Sequence, residues 1–160
     1  AWFKVYHPLA FYAAYFYRRS QKGGFDAVLM TQGKEAIMAN MDAITSNENA
    51  TDKDDDLLTT MEVVYEYYIR GFEFLPIDIY KSHATKFLIQ DGKLLPPFVS
   101  ISGLGENAAW DLMNGREGKT FISIEEVALA CPKVSKTHIQ MLKDAGAFGS
   151  LPDTSQILLF

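Results

Sequence analysis

Two glycines in the second half of the chain restrict its fold more than any other feature of the sequence. They form the turn Gly103-Leu104-Gly105, which follows apolar residues at Phe98 and Ile101 and precedes a helical pattern over 106–114. Because glycine has no Cβ, the backbone can reverse direction within so few residues. Ala109, four positions after the second glycine, leaves room for close packing between the segments on either side of the turn. The spacing therefore predicts two short helical segments joined by a tight turn.

Such a pair is a helix-hairpin-helix motif, and its turn is suited to an anion. The N–H groups of residues 103–106 would point outward from a helix N-terminus, where the helix dipole favours negative charge. A phosphate could approach this backbone without meeting a Cβ. We therefore predict that the motif holds a DNA backbone without reading its sequence. The predicted contacts are Ser102, Gly103, Leu104, Gly105, Glu106 and Asn107.

The same glycines have two other interpretations. They could form an ordinary tight loop before a helix, although the full spacing of the motif favours phosphate binding. They could also begin a dinucleotide-binding fold, but the third glycine of that fingerprint is missing and no βαβ unit surrounds them.

A second, degenerate hairpin is predicted further along the chain. Ser135 is a good N-cap for a helix over 135–144, and Lys133 and Lys136 flank the N-terminus of that helix. The predicted phosphate contacts are Lys133, Ser135, Lys136 and Thr137. The competing interpretation is two ordinary surface lysines beside a capped helix.

The first half of the chain has the patterns of helices. The segment 9–17 is apolar nearly all round, so we expect it to be packed on every side. A second helix fits residues 34–44. The capping box Thr51-Asp52-Lys53-Asp54 predicts the start of a third, which runs to Arg70 and ends at Gly71. The acids of 52–56 could instead hold a divalent metal, but they lack the glycine and distal glutamate of a calcium loop.

From Phe72 onward the apolar pattern changes to a period of two. Strands are predicted over 74–80 and 85–90, with a hairpin turn at Asp91-Gly92 and a further strand over 93–95. Short helices are predicted over 106–114, 124–130 and 135–144. The expected fold class is therefore α+β and mostly helical, with a small antiparallel hairpin, tandem helix-hairpin-helix motifs and an extended C-terminal tail.

Composition limits the kinds of function. The net charge is -5, so no basic field attracts nucleic acid over the whole surface. Residues 1–80 hold seven Lys/Arg and twelve Asp/Glu, whereas residues 81–160 hold eight of each, so the second half is the better place for a polyanion. Cys131 is the single cysteine, which excludes an internal disulfide and indicates a reducing compartment. The apolar opening is too short and too polar to span a membrane. We find no catalytic set and no zinc ligand set.

The end of the chain, Gln156-Ile157-Leu158-Leu159-Phe160, is unusually apolar. Chain ends are normally polar and frayed. These residues could pack against the domain's own core, or they could dock as an extended peptide in a pocket of a partner.

Four stretches in the right order give the chain a family resemblance. They are His7-Pro-Leu-Ala-Phe-Tyr-Ala-Ala-Tyr-Phe16, Asp78-Ile-Tyr-Lys-Ser-His-Ala-Thr-Lys-Phe87, Pro96-Pro-Phe-Val-Ser-Ile-Ser-Gly-Leu-Gly105 and the terminal Gln156-to-Phe160 segment. Over essentially its whole length the chain resembles the C-terminal end of the PolC-type DNA polymerase III alpha subunit of low-GC Gram-positive bacteria.

The resemblance implies three regions and a set of partners. Residues 1–70 would be the last helices of the fingers, 71–150 a duplex-binding domain, and 151–160 a tail that binds the beta sliding clamp. The tail contacts would be Gln156, Ile157, Leu158, Leu159 and Phe160, although Leu158 stands where the family usually has a small or acidic residue. The other implied partners are primer-template DNA and the rest of the polymerase, in the bacterial cytoplasm.

The resemblance also implies that this chain is not an enzyme by itself. The catalytic aspartates of the family, with their Mg²⁺, lie in a palm domain that is outside this chain. No catalytic residue, metal ligand or cofactor is therefore expected here.

Three alternatives stay open. The DnaE-type subunit shares this fold but normally continues beyond it. A repair or recombination protein with helix-hairpin-helix motifs is the second, although a glycosylase of that kind needs a catalytic Asp after a Gly-Pro-rich segment, and Asp111 lies within a predicted helix. The third is an interaction module whose hairpins bind protein.

Overall fold

The computed structural model describes residues 1–155. Within these residues the chain forms eight α-helices, one 3-10 turn and one antiparallel β-hairpin. The helices are α1 (Trp2–Tyr6), α2 (Pro8–Gln21), α3 (Ala27–Met30), α4 (Lys34–Thr45), α5 (Asp52–Ile69), α6 (Glu106–Gly115), α7 (Ile124–Ala130) and α8 (Lys136–Asp144). The strands are β1 (Leu88–Gln90) and β2 (Lys93–Leu95), and the 3-10 turn is Phe98–Ser100. The prediction of a mostly helical α+β fold is confirmed.

The start of α5 follows the predicted capping box. The Thr51 hydroxyl accepts a hydrogen bond from the backbone N–H of Asp54 at 3.2 Å, and the Asp54 carboxylate accepts one from the Thr51 N–H at 2.9 Å. The first turn of α5 contains Asp52, Asp54 and Asp55, whose negative charges complement the helix dipole. Within residues 1–155, no group of three or more His, Cys, Asp or Glu side chains is arranged to hold a metal ion.

An aromatic core joins the first helices to the β-hairpin. Tyr12 and Phe16, one turn apart on α2, are fully buried. The ring of Tyr12 lies 5.2 Å from that of Tyr67 on α5, and the ring of Phe16 lies 5.8 Å from that of Phe87 just before β1. The same core continues through Phe98 and the residues that follow it. The predicted helix-hairpin-helix motif at 98–113 therefore shares its buried core with α2.

The expectation that residues 9–17 are packed on every side is wrong for the part of the chain that the structure describes. Tyr12 and Phe16 are buried, but Ala14 is exposed and Tyr15 is only half-buried. The physical reason is that α5 and the β-hairpin cover one face of α2 and leave the opposite face open. The short helices α1 and α3 were not predicted from the pattern.

The predicted strand over 74–80 is also wrong. Only Phe74 makes a β-bridge, to Leu94, and the backbone after it is irregular. Pro76 has no N–H to donate to a sheet. Further on, the Asp78 carboxylate accepts hydrogen bonds from the N–H groups of Tyr80 and Lys81, which fold the chain into a turn.

The β-hairpin itself is shorter than predicted at one end. Its turn is confirmed, because Asp91 and Gly92 both have positive φ, as a tight two-residue turn requires. β1 begins at Leu88 and not at Thr85, since Nδ1 of His83 accepts hydrogen bonds from the N–H groups of Thr85 and Lys86 at 3.0 and 3.1 Å.

In the described residues, the helices are all too short or too polar to cross a membrane.

Candidate nucleic-acid interface

The first hairpin has the predicted geometry, with a single 3-10 turn as its first helical segment. That turn, Phe98–Ser100, leads through Ile101 into the glycine turn, and α6 begins at Glu106. The Leu104 N–H donates to the Ile101 carbonyl at 3.0 Å. The Leu104 side chain is buried in the core. The buried side chain of Leu104 therefore anchors the turn, and Gly103 and Gly105 on either side of it are exposed.

The exposed side of this turn offers backbone donors. Gly105 is the N-cap of α6 and has no side chain to cap the helix. The first backbone bond across this cap runs from the Ala109 N–H to the Gly105 carbonyl at 3.0 Å. Among the described residues, no acceptor pairs with the N–H groups of Gly105, Glu106 and Asn107. A helix start with unpaired N–H groups at an exposed surface is a suitable place for a phosphate.

The carboxylate of Glu106 is the one acid in the predicted contact set. It accepts a hydrogen bond from the indole N–H of Trp110 at 3.3 Å, one turn further along α6. This contact draws the carboxylate along the helix and away from the turn. Ser102 and Asn107 are exposed on either side.

The two glycines meet different surroundings. Gly103 has a φ of +78°, and a Cβ built on it would lie 3.3 Å from Nε2 of His138. Gly105 has a φ of -71° and a ψ of 165°, which any residue can adopt, and a Cβ on it would meet nothing within 4 Å. Nothing within the described chain therefore requires glycine at position 105.

The second hairpin consists of α7, a short connection and α8. The Ser135 hydroxyl caps α8 by accepting the N–H of His138 at 3.2 Å. The Lys133 N–H donates to the Asp111 carboxylate of α6 at 2.9 Å, which ties this hairpin to the first. Asp111 therefore has a structural partner inside the fold.

Two cations at the start of the second hairpin, Lys133 and Lys136, have no acidic partner within residues 1–155. Lys133, Lys136 and Thr137 are all exposed. In residues 1–155 neither lysine lies within ion-pair distance of a carboxylate, whereas Lys143 on the same helix pairs with Asp153 at 2.7 Å. Lys133 and Lys136 are thus available to an external anion.

His138 joins the two hairpins, and sequence reasoning missed it. Its Nδ1 lies 2.9 Å from the Ser135 hydroxyl, and its Nε2 faces the Gly103 turn. The start of α8 is therefore adjacent to the start of α6, and the predicted residues of both hairpins come together. The position of His138, three residues after an N-cap, was the available signal, but its contact with Gly103 depends on the tertiary fold.

A cleft of about 410 Å³ separates the first hairpin from the end of α2. Its walls include Gly103–Glu106 on one side and Ser20, Gln21 and Gly23 on the other. Gln21 also lines a neighbouring cleft that contains Arg18 and Lys22, both exposed. The first half of the chain thus brings positive charge near the hairpin, despite its net acidity.

Cys131, the single cysteine, lies in the core of the fold. The Cys131 thiol is buried and donates to the Asp111 carbonyl at 3.5 Å, and burial raises its pKa to about 11.

The chain after α8 returns to α7, where the Ile124 N–H donates to the Pro152 carbonyl and the Glu125 N–H donates to the Asp153 carbonyl. The predicted clamp-binding residues 156–160 lie outside the described residues.

Comparisons with known proteins identify the same motif. Residues 71–157 match the family model described as a helix-hairpin-helix motif. The whole chain aligns with proteins named DNA polymerase III PolC-type, at 43% identity in Thermotoga petrophila, 43% in Listeria innocua and 45% in Caldanaerobacter subterraneus. All of this chain is covered, but it spans only 11–12% of the length of these relatives.

Proposed function

The chain belongs to the helix-hairpin-helix family and corresponds over its whole length to a segment of PolC-type DNA polymerase III, and from this premise we propose that it holds the primer-template duplex for such a polymerase. The two hairpins would contact the phosphate backbone of the duplex and would not read its base sequence. The observation that carries the proposal is the open N-terminus of α6 at Gly105, in a domain where Lys133 and Lys136 have no ion-pair partner within residues 1–155.

The chemistry of the two hairpins suits this task. Backbone N–H groups at a helix start bind a phosphate oxygen whatever base follows it. Two lysines add charge close to the same surface, and the acid within the site is drawn aside by Trp110. Because the hairpins share a buried core with α2, their spacing is fixed before DNA arrives. A polymerase that moves along DNA needs such a contact, since base-specific bonds would stop it at preferred sequences.

Two finer parts of the proposal concern the rest of the protein. Residues 156–160 would bind the beta sliding clamp and so keep the polymerase on DNA. Synthesis itself would be carried out by a palm domain elsewhere in the parent chain, with Mg²⁺ bound there, in the bacterial cytoplasm. This chain would contribute binding and no catalytic group.

Duplex binding is tested directly with the 160-residue chain and a short fluorescein-labelled duplex, by fluorescence anisotropy over a range of salt. The change Lys133→Ala/Lys136→Ala should weaken binding equally for unrelated sequences. It should also reduce the slope of log K against log salt by about 0.9 for each phosphate that the lysines no longer neutralise. The matched control is Lys34→Ala/Lys53→Ala, which removes the same charge from α4 and α5.

Equal weakening in both double variants would show that only net charge matters, and it would contradict a grip through the hairpins. Binding that prefers one sequence strongly would favour a repair or recombination protein. A chain that binds no duplex at all would leave the protein-interaction module as the better explanation.

A further inference from the structure

The imidazole of His138 lies between the two hairpin turns. Its Nδ1 lies 2.9 Å from the Ser135 hydroxyl, while its Nε2 faces the Gly103 turn. We propose that Nε2 of His138 donates a hydrogen bond to a phosphate oxygen held between the two turns. The proposal deepens the duplex-holding function and rests on it, because it adds a side-chain donor to the backbone contacts.

The contact with Ser135 allows a hydrogen on the outward ring nitrogen. The Ser135 hydroxyl oxygen accepts the backbone N–H of His138 at 3.2 Å, and its own hydrogen can be donated to Nδ1 of the same histidine, 2.9 Å away. In that arrangement a neutral imidazole carries its hydrogen on Nε2. A phosphate oxygen beside Nε2 favours this tautomer, because the other tautomer would turn a lone pair toward the phosphate.

This donor has no acceptor within residues 1–155. Every buried side-chain nitrogen or oxygen in that part of the chain has a hydrogen-bond partner. Since Nε2 has none, it is accessible from outside. A phosphate between the turns would be its partner there, with Lys136 on the same helix start.

The same geometry explains the glycine at position 103. Its φ of +78° favours glycine, and a Cβ would press on Nε2 at 3.3 Å. That contact would require the ring to shift by a few tenths of an ångström. Glycine at 103 therefore preserves the orientation of the donor, whereas glycine at 105 leaves room for the phosphate itself.

Two substitutions separate a donor role from a packing role. Asparagine can place a polar atom near the position of Nδ1, so His138→Asn retains the contact with Ser135 and removes the outward donor. Glutamine reaches further and places an N–H near the position of Nε2, so His138→Gln retains the donor. We expect His138→Asn to weaken duplex binding about three- to tenfold, the effect of one hydrogen bond. We expect His138→Gln to bind within about twofold of the unmodified chain.

Anisotropy with the labelled duplex gives the affinity, and urea unfolding of each variant shows that the fold is intact. Equal binding by all three proteins would overturn the donor role while leaving the duplex-holding function in place. Equal weakening in both variants would also overturn it, because the ring would then act by packing against Gly103. If the unmodified chain fails to bind duplex, the proposed function and this inference both fall.

Discussion

Gly103 and Gly105 have different physical roles, although they belong to one turn. At Gly103 the backbone has a positive φ and the His138 ring is close, so the fold itself requires glycine. At Gly105 neither constraint exists, and the N-cap conformation is one that serine adopts readily. A change at Gly103 would disturb the fold together with the surface. A change at Gly105 tests the surface alone.

The substitution Gly105→Ser should therefore separate stability from binding. Serine is a better N-cap than glycine by a few tenths of a kcal/mol, so the free energy of unfolding should stay equal or rise slightly. Its hydroxyl would bind the N–H groups that we assign to phosphate, and its Cβ would occupy the approach. We expect duplex affinity to fall about tenfold, as for removal of one charge-assisted hydrogen bond. Urea unfolding and duplex anisotropy measure the two effects.

The control is Thr51→Ser, which keeps a capping hydroxyl at the N-cap of α5, outside the two hairpins. It should leave duplex affinity unchanged. If Gly105→Ser binds duplex as well as the unmodified chain does, the α6 N-terminus is not the phosphate site.

At this scale the sequence predicted the helix starts well, because their signals are local, while the binding of phosphate there stays a prediction. Gly105, Ser135 and Lys136 lie where the motif spacing puts them, at the starts of α6 and α8. His138 was missed because its second contact joins segments that are distant in sequence. The cations Arg18 and Lys22 were missed for the same reason, since only folding brings the end of α2 near the hairpin.

Among the secondary-structure elements, helices with local start and stop signals were predicted more accurately than strands. The capping box at Thr51 and the stop at Gly71 bound α5 as expected. Alternating apolar residues over 74–80 misled the strand prediction, because polar side chains there bond to nearby backbone and not to a sheet. Asp78 and His83 each close a turn in this way. Such side-chain turns compete with strands and leave no periodic signal.

The His83 turn should make stability depend on pH. Burial, together with the nearby charges of Lys86 and Arg116, lowers the pKa of His83 from its usual value near 6.5. The folded chain therefore favours the neutral ring, whose Nδ1 accepts the N–H groups of Thr85 and Lys86. This contribution to stability should be complete above the usual pKa and should disappear as the pH falls through the lowered one.

Urea unfolding between about pH 7.5 and 5 checks this, with His83→Asn as the reference. Asparagine keeps an acceptor near the position of Nδ1 and does not titrate. The advantage of the unmodified chain over His83→Asn should shrink as the pH falls. A gap that stays constant, or that widens in acid, would contradict the role of the neutral ring.

The whole molecule combines paired charged side chains with one continuous buried core. Among its acids, Asp54 takes part in the capping box of α5 and Glu66 pairs with Lys4. The Lys4 ammonium at 2.5 Å and the Tyr12 hydroxyl hold the pKa of Glu66 below its usual value. A continuous core supports both hairpins. This is the organisation that a backbone grip requires.

We accordingly expect no synthesis by the isolated chain. Primed template, the four deoxynucleotides and Mg²⁺ should give no extension above background, because template-directed transfer needs a carboxylate pair that holds two metal ions. Denaturing electrophoresis of a labelled primer measures this, with an intact PolC-type polymerase as the positive control. Template-directed extension that co-purifies with the chain would contradict the proposal that synthesis is carried out by a palm domain elsewhere in the parent chain.

The last expectation concerns residues 156–160 and the beta sliding clamp. Leu159 and Phe160 would fill an apolar pocket on the clamp, and Gln156 would fix the register of an extended peptide. Burying two such side chains is worth roughly 1.5–3 kcal/mol each, less the cost of ordering the peptide. The chain alone should therefore bind the clamp weakly. On primed DNA that already threads the clamp, the duplex grip should raise the apparent affinity through effective concentration.

Titration of purified clamp separates the side chains that matter. Leu159→Ala/Phe160→Ala should abolish measurable binding, whereas Leu158→Ala is the matched control and should change it little. Truncation should be made after Ser155 and not after Pro152, because Asp153 pairs with Lys143 and its carbonyl accepts the Glu125 N–H. A cut at Pro152 would disturb α7 and α8, so weaker binding would not identify its cause. If the chain that ends at Ser155 binds the clamp as tightly as the intact chain, the apolar tail is not the tether, and packing against its own domain becomes the better explanation.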